Sequence, residues 1–157
     1  TSAGFKIIIR PHPQSLKIEK EFFDSLKEKF SDPLVEFDFE IGGTRSLNQA
    51  DLLISDKSSI RFDFAFLYKR PVVTLDIPPA SLDAYEATYL PKLWEEETAN
   101  KIGICLNLKE KDRIVEIVEK ALQLNSTTIE KIGTESISFI GQSSIQIANW
   151  LENVSKN

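Results

Sequence analysis

The sequence predicts an α/β fold of the Rossmann-like kind, in which a parallel sheet carries helices on both faces. Short apolar runs rich in β-branched residues recur along the chain, as in residues 5–10 and 102–107. Such runs are typical of strands that are buried on both faces. Segments with apolar residues three and four apart separate them and indicate amphipathic helices. This alternation of strand and helix is the pattern of βαβ units, which build parallel sheets.

The first half of the chain is predicted to contain four strands and three helical segments. The strands are residues 5–10, 34–40, 51–55 and 71–78. The helical segments are residues 16–30, 46–51 and 58–69. In the first of them, apolar residues stand four apart and predict one continuous apolar stripe, formed by Ile18, Phe22, Leu26 and Phe30.

The second half contains one further strand and two well-marked helices. Residues 79–100 are predicted to be an irregular excursion with one helix, and residues 102–107 a fifth strand. Asn107 and Glu110 stand three apart and match a capping box, so we expect a helix with an apolar stripe through Ile114, Ile117, Val118, Ala121 and Leu122. Residues 127–142 look like a loop, and residues 143–154 form the terminal helix.

Several large or apolar side chains are predicted to pack in the core. Helical spacing in "IRFDFAFL" and the apolar run "IGICLN" favour packing over chemistry, and the two tryptophans are interpreted in the same way. These residues are Ile60, Phe64, Leu67, Trp94, Cys105 and Trp150.

Length and composition indicate one globular domain over residues 1–157. The chain has 157 residues, which is enough for a sizeable core, and it has no internal repeat or linker. It has no methionine and enters a strand almost at once. We therefore expect it to be a fragment of a longer protein.

Charge and residue usage exclude several classes of function. A net charge of −5 argues against general binding to nucleic acid or to an anionic membrane surface. The single cysteine cannot form an internal disulfide, which fits a reducing compartment. The single histidine is far from that cysteine in the sequence, so the two do not make a zinc site. No apolar stretch has the length of a membrane span, and no GxGxxG or Walker motif follows a strand. We therefore predict no metal site and no cofactor.

The stretch "SDKSS" after the third strand is a candidate anion site. Ser58 and Ser59 are expected at the start of a helix, where free N–H groups and the helix dipole favour a phosphate. Lys57 would add a positive charge. The alternative is simple helix capping, because Asp and Ser are favoured N-cap residues. Asp56 supports that alternative, since a carboxylate beside a phosphate is unfavourable unless it bonds the helix or the loop.

The stretch "RPHP" after the first strand is a second candidate. His12 is the single histidine, and the prolines on either side restrict the backbone around it. Because ligands bind outside the carboxyl ends of parallel strands, we expect His12 to face the same crevice as Ser58. It would donate a hydrogen bond to a phosphate oxygen. Arg10 would do the same or form a salt bridge to a helix, and a surface imidazole is the alternative for His12.

Four stretches in order resemble the CDP-glycerol glycerophosphotransferases, the teichoic-acid-type polymerases and primases of bacterial cell-surface polymer synthesis. They are "IIIRPHP", "SLNQADLLISDKSSIRFDFAFLYKRPVV", "IGICLNLKEKDRIVEIVEKAL" and "IGQSSIQIANWL". The family shows an R-P-H-P element and a D-Y-S-S element followed by "fDfa-l-kkPvi". Lys57 departs from this pattern, because it replaces the usual tyrosine.

The resemblance implies the C-terminal, nucleotide-binding half of a GT-B enzyme. By that resemblance His12 is the catalytic histidine of the donor site, and Ser58 and Ser59 bind the diphosphate of CDP-glycerol or a similar donor. Arg10, Asp56 and Lys57 complete the predicted diphosphate site, and Asp83 and Tyr85 are expected near it. The acceptor domain would be the missing N-terminal half, and the fragment is expected to be inactive alone.

The implied reaction transfers glycerol phosphate from CDP-glycerol to an acceptor hydroxyl. It implies a cytoplasmic enzyme, at the inner face of the cell membrane if the missing half associates peripherally with the bilayer. One alternative is another GT-B enzyme, such as a surface-polysaccharide glycosyltransferase or a UDP-GlcNAc 2-epimerase. A Rossmann-like module that only binds is the other alternative, because one scaffold serves many functions.

Overall fold

A computed structural model describes residues 3–40, 42, 44–77 and 94–155 of the chain. The described strands are β1 (Ile7–Ile9), β2 (Val35–Phe37), β3 (Leu53–Ser55), β4 (Val72–Asp76) and β5 (Gly103–Asn107). The described helices are α1 (Pro13–Ile18), α2 (Lys20–Lys29), α3 (Thr44–Gln49), α4 (Ile60–Tyr68), α5 (Trp94–Ile102), a 3₁₀ helix (Leu108–Arg113), α6 (Ile114–Leu122), α7 (Ser126–Ser136) and α8 (Ser143–Val154). All paired strands are parallel, which confirms the predicted α/β fold.

The chain divides into two compact units, residues 1–51 and residues 52–157. In the first unit β1 pairs with β2, with Ile8 opposite Glu36. In the second unit β4 lies between β3 and β5. The strands therefore form one two-stranded and one three-stranded sheet. That residues 1–157 make a single domain stays a prediction.

The central strand β4 carries the core of the second unit. Val72, Val73 and Thr74 are at most 2% exposed. Successive side chains of a strand point to opposite faces. On one face Val73 packs with Leu106 of β5 and with Ile117 of α6.

Helices α4 and α5 cover the other face of this sheet, and α7 packs on these two helices. Their buried residues include Phe64 on α4, Ile102 on α5 and Ile129 on α7, each at most 1% exposed. Gly133 of α7 lies against the ring of Phe66, which allows α7 to approach α4 closely. Both faces of the three-stranded sheet are therefore covered, as the continuous apolar strands predict.

The terminal helix has its predicted range, whereas the helix predicted from Asn107 begins with a 3₁₀ segment. Glu110 is non-helical there and bonds Arg113 instead of completing a capping box. Asn107 is the N-cap of the 3₁₀ helix and accepts a hydrogen bond from the amide of Lys109 at 2.9 Å. This turn leads directly into α6, which buries Ile117 and Ala121. The terminal helix α8 covers Ser143–Val154, the predicted range.

Two predictions of local structure were wrong. The helix predicted over residues 16–30 is two helices, because the backbone of Glu19 leaves helical geometry at φ −119° and ψ 33°. The region predicted as a loop after residue 126 contains α7. Its N-cap is Asn125, whose side chain accepts from the amide of Thr127 at 2.9 Å. Packing of Ile129 and Gly133 stabilises this helix despite its β-branched residues and glycine.

Four residues predicted to be core are exposed. Leu67 is 74% exposed and Trp150 is 63% exposed. Cys105 is also exposed, because it lies on the edge strand β5 and on the face opposite the core around Leu106. Trp94 is 46% exposed as well, although its ring packs on Phe62 with centroids 4.9 Å apart. Phe64 is buried as predicted.

Within the described residues no helix is both long and apolar enough to cross a membrane.

A glycine is required where β5 pairs with β4. A Cβ atom on Gly103 would collide with the carbonyl group of Val72, lying 2.6 Å from its carbon. We expect Gly103→Ala to lower the free energy of unfolding by about 3 kcal/mol, because two backbones rather than a flexible side chain must separate. Urea unfolding followed by tryptophan fluorescence measures this change.

Gly42→Ala is the matched control, because a Cβ atom there meets nothing within 4 Å. It is expected to change the free energy of unfolding by less than about 0.5 kcal/mol. Equal effects of the two substitutions would contradict the close approach of β4 and β5.

The first unit contains a buried carboxylate, Asp38, which is 1% exposed. Hydrogen bonds from the Ser46 side chain and from the Glu40 amide lower the pKa of the Asp38 carboxyl. A lowered folded-state pKa contributes stability above the unfolded pKa of about 4, and that stability is lost as the pH falls below it.

We therefore expect the amide protection factors of the first unit to fall as the pH is lowered. In the Asp38→Asn variant these protection factors should be lower at neutral pH and should change less with pH. Protection factors of the amides in residues 34–40 from hydrogen exchange measure this. Parallel pH profiles for the two proteins would show that Asp38 does not carry the effect.

Candidate functional site

The turn between β3 and α4 contains the predicted anion-binding residues Asp56, Lys57, Ser58 and Ser59. Asp56 Oδ1 accepts a hydrogen bond from the Ser58 amide at 2.9 Å. Its carboxylate therefore bonds the loop, which is one of the two roles expected from the sequence. Ser59 is the N-cap of α4, and its side chain makes no capping hydrogen bond within the described structure. Both serines are exposed, so their hydroxyls are accessible to a ligand.

Lys57 connects this turn to two other elements of the second unit. Its Nζ lies 3.2 Å from Asp76 Oδ1 at the end of β4 and 4.0 Å from Glu96 Oε1 on α5. These exposed ion pairs contribute little to stability. They do place the Lys57 ammonium group between two carboxylates. A lysine that binds phosphate would instead have its ammonium group free of such partners.

Beside Lys57 lies a cavity of about 240 Å³ between the sheet, α4 and α5. It is lined by Lys57, Arg61, Thr74, Asp76, Glu96, Ala99, Asn100 and Cys105. Two of its polar groups are buried and lack hydrogen-bond partners in the described part of the chain. They are Nε of Arg61, a residue 4% exposed, and Oγ1 of Thr74, a residue 2% exposed.

The guanidinium of Arg61 is the buried charge at the cavity. Burial lowers the pKa of Arg61, while Cys105 and nearby carboxylates, including Glu95 and Asp56, oppose that shift. The Arg61 Cζ atom lies 4.7 Å from the centre of the Phe62 ring, which gives the cation a favourable aromatic contact. Cys105 is exposed at the surface, but partial desolvation of its thiol by the surrounding residues raises the pKa of that thiol, so it is mostly protonated near neutral pH.

The other two predicted site residues, Arg10 and His12, lie in the first unit. His12 is the exposed N-cap of α1, and its Nδ1 accepts from the Gln14 amide at 3.2 Å. When the ring is neutral, that bond places the proton on Nε2, which is then a donor. Arg10 donates from Nη2 to the Glu40 carbonyl at 3.4 Å.

Sequence reasoning missed most of the cavity. Arg61 precedes the buried Phe64 and Ala65 by three and four residues, so it lies on the buried face of α4. A charged residue on an apolar helix face was the available signal. Thr74, Asp76 and Glu96 carry no local signal, because only the fold brings them to Arg61. Asp83 and Tyr85, expected near the site, lie outside the described residues.

The described residues hold no group of three or more His, Cys, Asp or Glu side chains placed to bind a metal ion.

Parallel strands, covering helices and a polar turn at the carboxyl end of β3 define a Rossmann-like α/β fold. The chain belongs to the CDP-glycerol:poly(glycerophosphate) glycerophosphotransferase family, whose model matches residues 2–133. This match confirms the resemblance seen in the sequence and identifies the chain as a member of a transferase family. No curated protein and no solved structure matches the chain.

The unpartnered hydroxyl of Thr74 gives a prediction on stability. Thr74→Val keeps the shape of the side chain and removes a buried hydroxyl that has no partner among the described residues. We expect it to raise the free energy of unfolding by about 1 kcal/mol, because the cost of desolvating the hydroxyl disappears. Urea unfolding measures the change.

Thr134→Val is the control, since the exposed Thr134 hydroxyl already donates to the carbonyls of Glu130 and Lys131. Its effect should be near zero. A destabilising Thr74→Val would mean that the hydroxyl is satisfied in solution.

Proposed function

We propose that this chain is the donor-binding part of a glycerophosphotransferase that moves glycerol phosphate from CDP-glycerol to an acceptor hydroxyl. The observation that carries the proposal is the family match over residues 2–133, which includes both predicted site motifs. The bonding of Asp56 supports it as well. Its carboxylate is used by the loop amide of Ser58, while the side chain of Ser59 makes no capping bond in the described structure.

In this proposal the diphosphate lies at the start of α4. The first amides of a helix have no intrahelical acceptor, and the helix dipole favours an anion there. The hydroxyls of Ser58 and Ser59 add two donors at the same place. Arg10 is the basic group that we assign to the diphosphate. Lys57 stays assigned to the donor site, but its ion pairs with Asp76 and Glu96 give it the role of positioning those carboxylates rather than that of a phosphate ligand.

The reaction is an in-line displacement at the β-phosphorus of the donor. The acceptor oxygen forms a new P–O bond as the bond to the bridging oxygen breaks, and CMP leaves with that electron pair. Charge develops on the phosphate oxygens, so positioning and hydrogen-bond donors supply most of the catalysis. We assign His12 to stabilise the leaving phosphate through a hydrogen bond from Nε2–H. It would protonate that phosphate only as the imidazolium, in which Nδ1 also carries a proton and no longer accepts from the Gln14 amide. The acceptor's proton would pass to a base outside this chain.

The proposal places this chain as the C-terminal half of a GT-B enzyme in bacterial cell-surface polymer synthesis, such as that of teichoic acids. A further N-terminal domain would bind the acceptor. Because the donor is a cytoplasmic nucleotide, we propose a cytoplasmic site at the inner face of the membrane. Peripheral association with the bilayer would come through that further domain.

The test is calorimetric titration of the chain with CDP-glycerol, CDP and UDP. We expect CDP-glycerol and CDP to bind, and Ser58→Ala/Ser59→Ala to weaken binding about 100-fold. The magnitude follows because each lost hydrogen bond to a charged phosphate contributes about 1.5 kcal/mol or more.

The matched control is Ser143→Ala/Ser144→Ala at the start of α8. It changes the same Ser-Ser-Ile sequence at a helix start outside the residues that the family model matches. This variant should bind CDP like the parent. Preference for UDP would favour a sugar-nucleotide enzyme instead, and a chain that binds no nucleotide would contradict the proposal.

A further inference from the structure

The cavity beside the β3–α4 turn has properties of a built ligand site. Two of the polar residues that line it, Arg61 and Thr74, are more than nine-tenths buried. Arg61 Nε and Thr74 Oγ1 lack hydrogen-bond partners in the described structure. Buried donors are almost always paired, and an unpaired buried cation is costly. A ligand that accepts hydrogen bonds would pair both groups.

The charges around the cavity restrict the chemistry of that ligand. Lys57 and Arg61 are cations, while Asp76 and Glu96 are carboxylates. A simple anion would gain from the cations but face two carboxylates, and a simple cation would face Arg61. An apolar ligand would leave Arg61 and Thr74 unpaired. An uncharged group that both accepts and donates hydrogen bonds can pair with the cations, the carboxylates and the threonine alike.

Vicinal hydroxyls have this chemistry. Each hydroxyl accepts from a guanidinium or threonine and donates to a carboxylate in the same contact. The volume of about 240 Å³ is below the range of about 300–1,000 Å³ that holds a whole drug-sized ligand. The cavity therefore suits a small polyol fragment rather than a complete nucleotide.

We propose that the Arg61–Thr74 cavity binds the vicinal hydroxyls of a polyol. The identity of that polyol rests on the proposed function: a CDP-glycerol donor carries two such groups, its glycerol and its ribose. Arg61 and Thr74 donate to the hydroxyl oxygens, and Asp76 and Glu96 accept their protons in hydrogen bonds. Lys57 holds the two carboxylates in place through its contacts at 3.2 and 4.0 Å.

Cys105 supplies a direct reporter of occupancy. It lines the cavity, it is exposed, and it is the single cysteine of the sequence. A ligand in the cavity shields the thiol from an alkylating reagent, so the alkylation rate measures binding without any catalytic turnover. Its raised pKa calls for a mildly alkaline buffer, in which enough thiolate is present to react.

The experiment measures alkylation of Cys105 by iodoacetamide in the intact chain, followed by mass spectrometry. The probes are CDP-glycerol, CMP, glycerol 3-phosphate, free glycerol, free ribose and inorganic phosphate. Saturating CDP-glycerol should slow alkylation about tenfold or more. Protection by glycerol 3-phosphate and glycerol but not by CMP would assign the cavity to the glycerol. Protection by CMP and ribose but not by glycerol would assign it to the ribose.

Other outcomes separate this inference from the proposed function. If CDP-glycerol binds by calorimetry but Cys105 reacts at its free rate, the cavity inference is wrong and the proposed function stands. If free glycerol or ribose protects Cys105 while CDP-glycerol does not bind, the polyol site stands and the proposed donor is wrong. Equal protection by inorganic phosphate would mean a simple anion site and overturn the inference.

Variants test the residues that the inference names. Thr74→Val and Arg61→Lys should each reduce protection at least about tenfold, the first without loss of folding. Arg113→Met is the matched control, because Arg113 is exposed and paired with Glu110 and Glu116 away from the cavity. In this variant the ligand should protect Cys105 from alkylation as well as it does in the parent chain. Full protection in the Thr74→Val chain would show that the hydroxyl does not contact the ligand.

Discussion

The close pairing of β4 with β5 is the constraint on which the second unit depends. Gly103 lies opposite Val72 in the register of these strands, and no side chain fits between their backbones there. This contact lets β4 occupy the centre of the sheet, with neighbours on both sides. A central strand is buried on both faces, so its side chains can serve two purposes at once. Val73 packs in the apolar core, and Thr74, one residue further, lines the cavity on the opposite face.

Helix α4 also contributes both to the apolar core and to the cavity. It begins directly after the polar turn, and Phe64 and Ala65 place its apolar face against the sheet at no measurable exposure. Arg61 lies on the same face one turn earlier, and so it is buried as well. The burial of the phenylalanine provides the hydrophobic stabilisation that offsets the cost of burying the guanidinium. The polar groups at the carboxyl end of the sheet are thus held by well-packed elements, which is what a precise binding site requires.

Much of the fold could be predicted because its signals are local. Asn107 indicated a helix start, and an N-cap forms there because its side chain reaches an amide two residues away. Asn125 makes the same kind of bond at the start of α7, yet that helix was missed. Its β-branched residues and Gly133 argue against a helix, and packing on Phe66 overrides that preference. The exposure of Leu67 also escaped prediction, because helical spacing says which residues share a face and not what covers that face.

The sequence by itself determined the alternation of strands and helices, the place of the "SDKSS" turn between β3 and α4, and the family. These follow from patterns within a few residues, in which each side chain acts on its own backbone and near neighbours. Only the tertiary structure decided which groups meet at the cavity. Lys57, Asp76 and Glu96 belong to three elements far apart in the chain. They meet because parallel strands need long crossover connections, which bring the carboxyl ends of sequentially distant strands to one edge of the sheet.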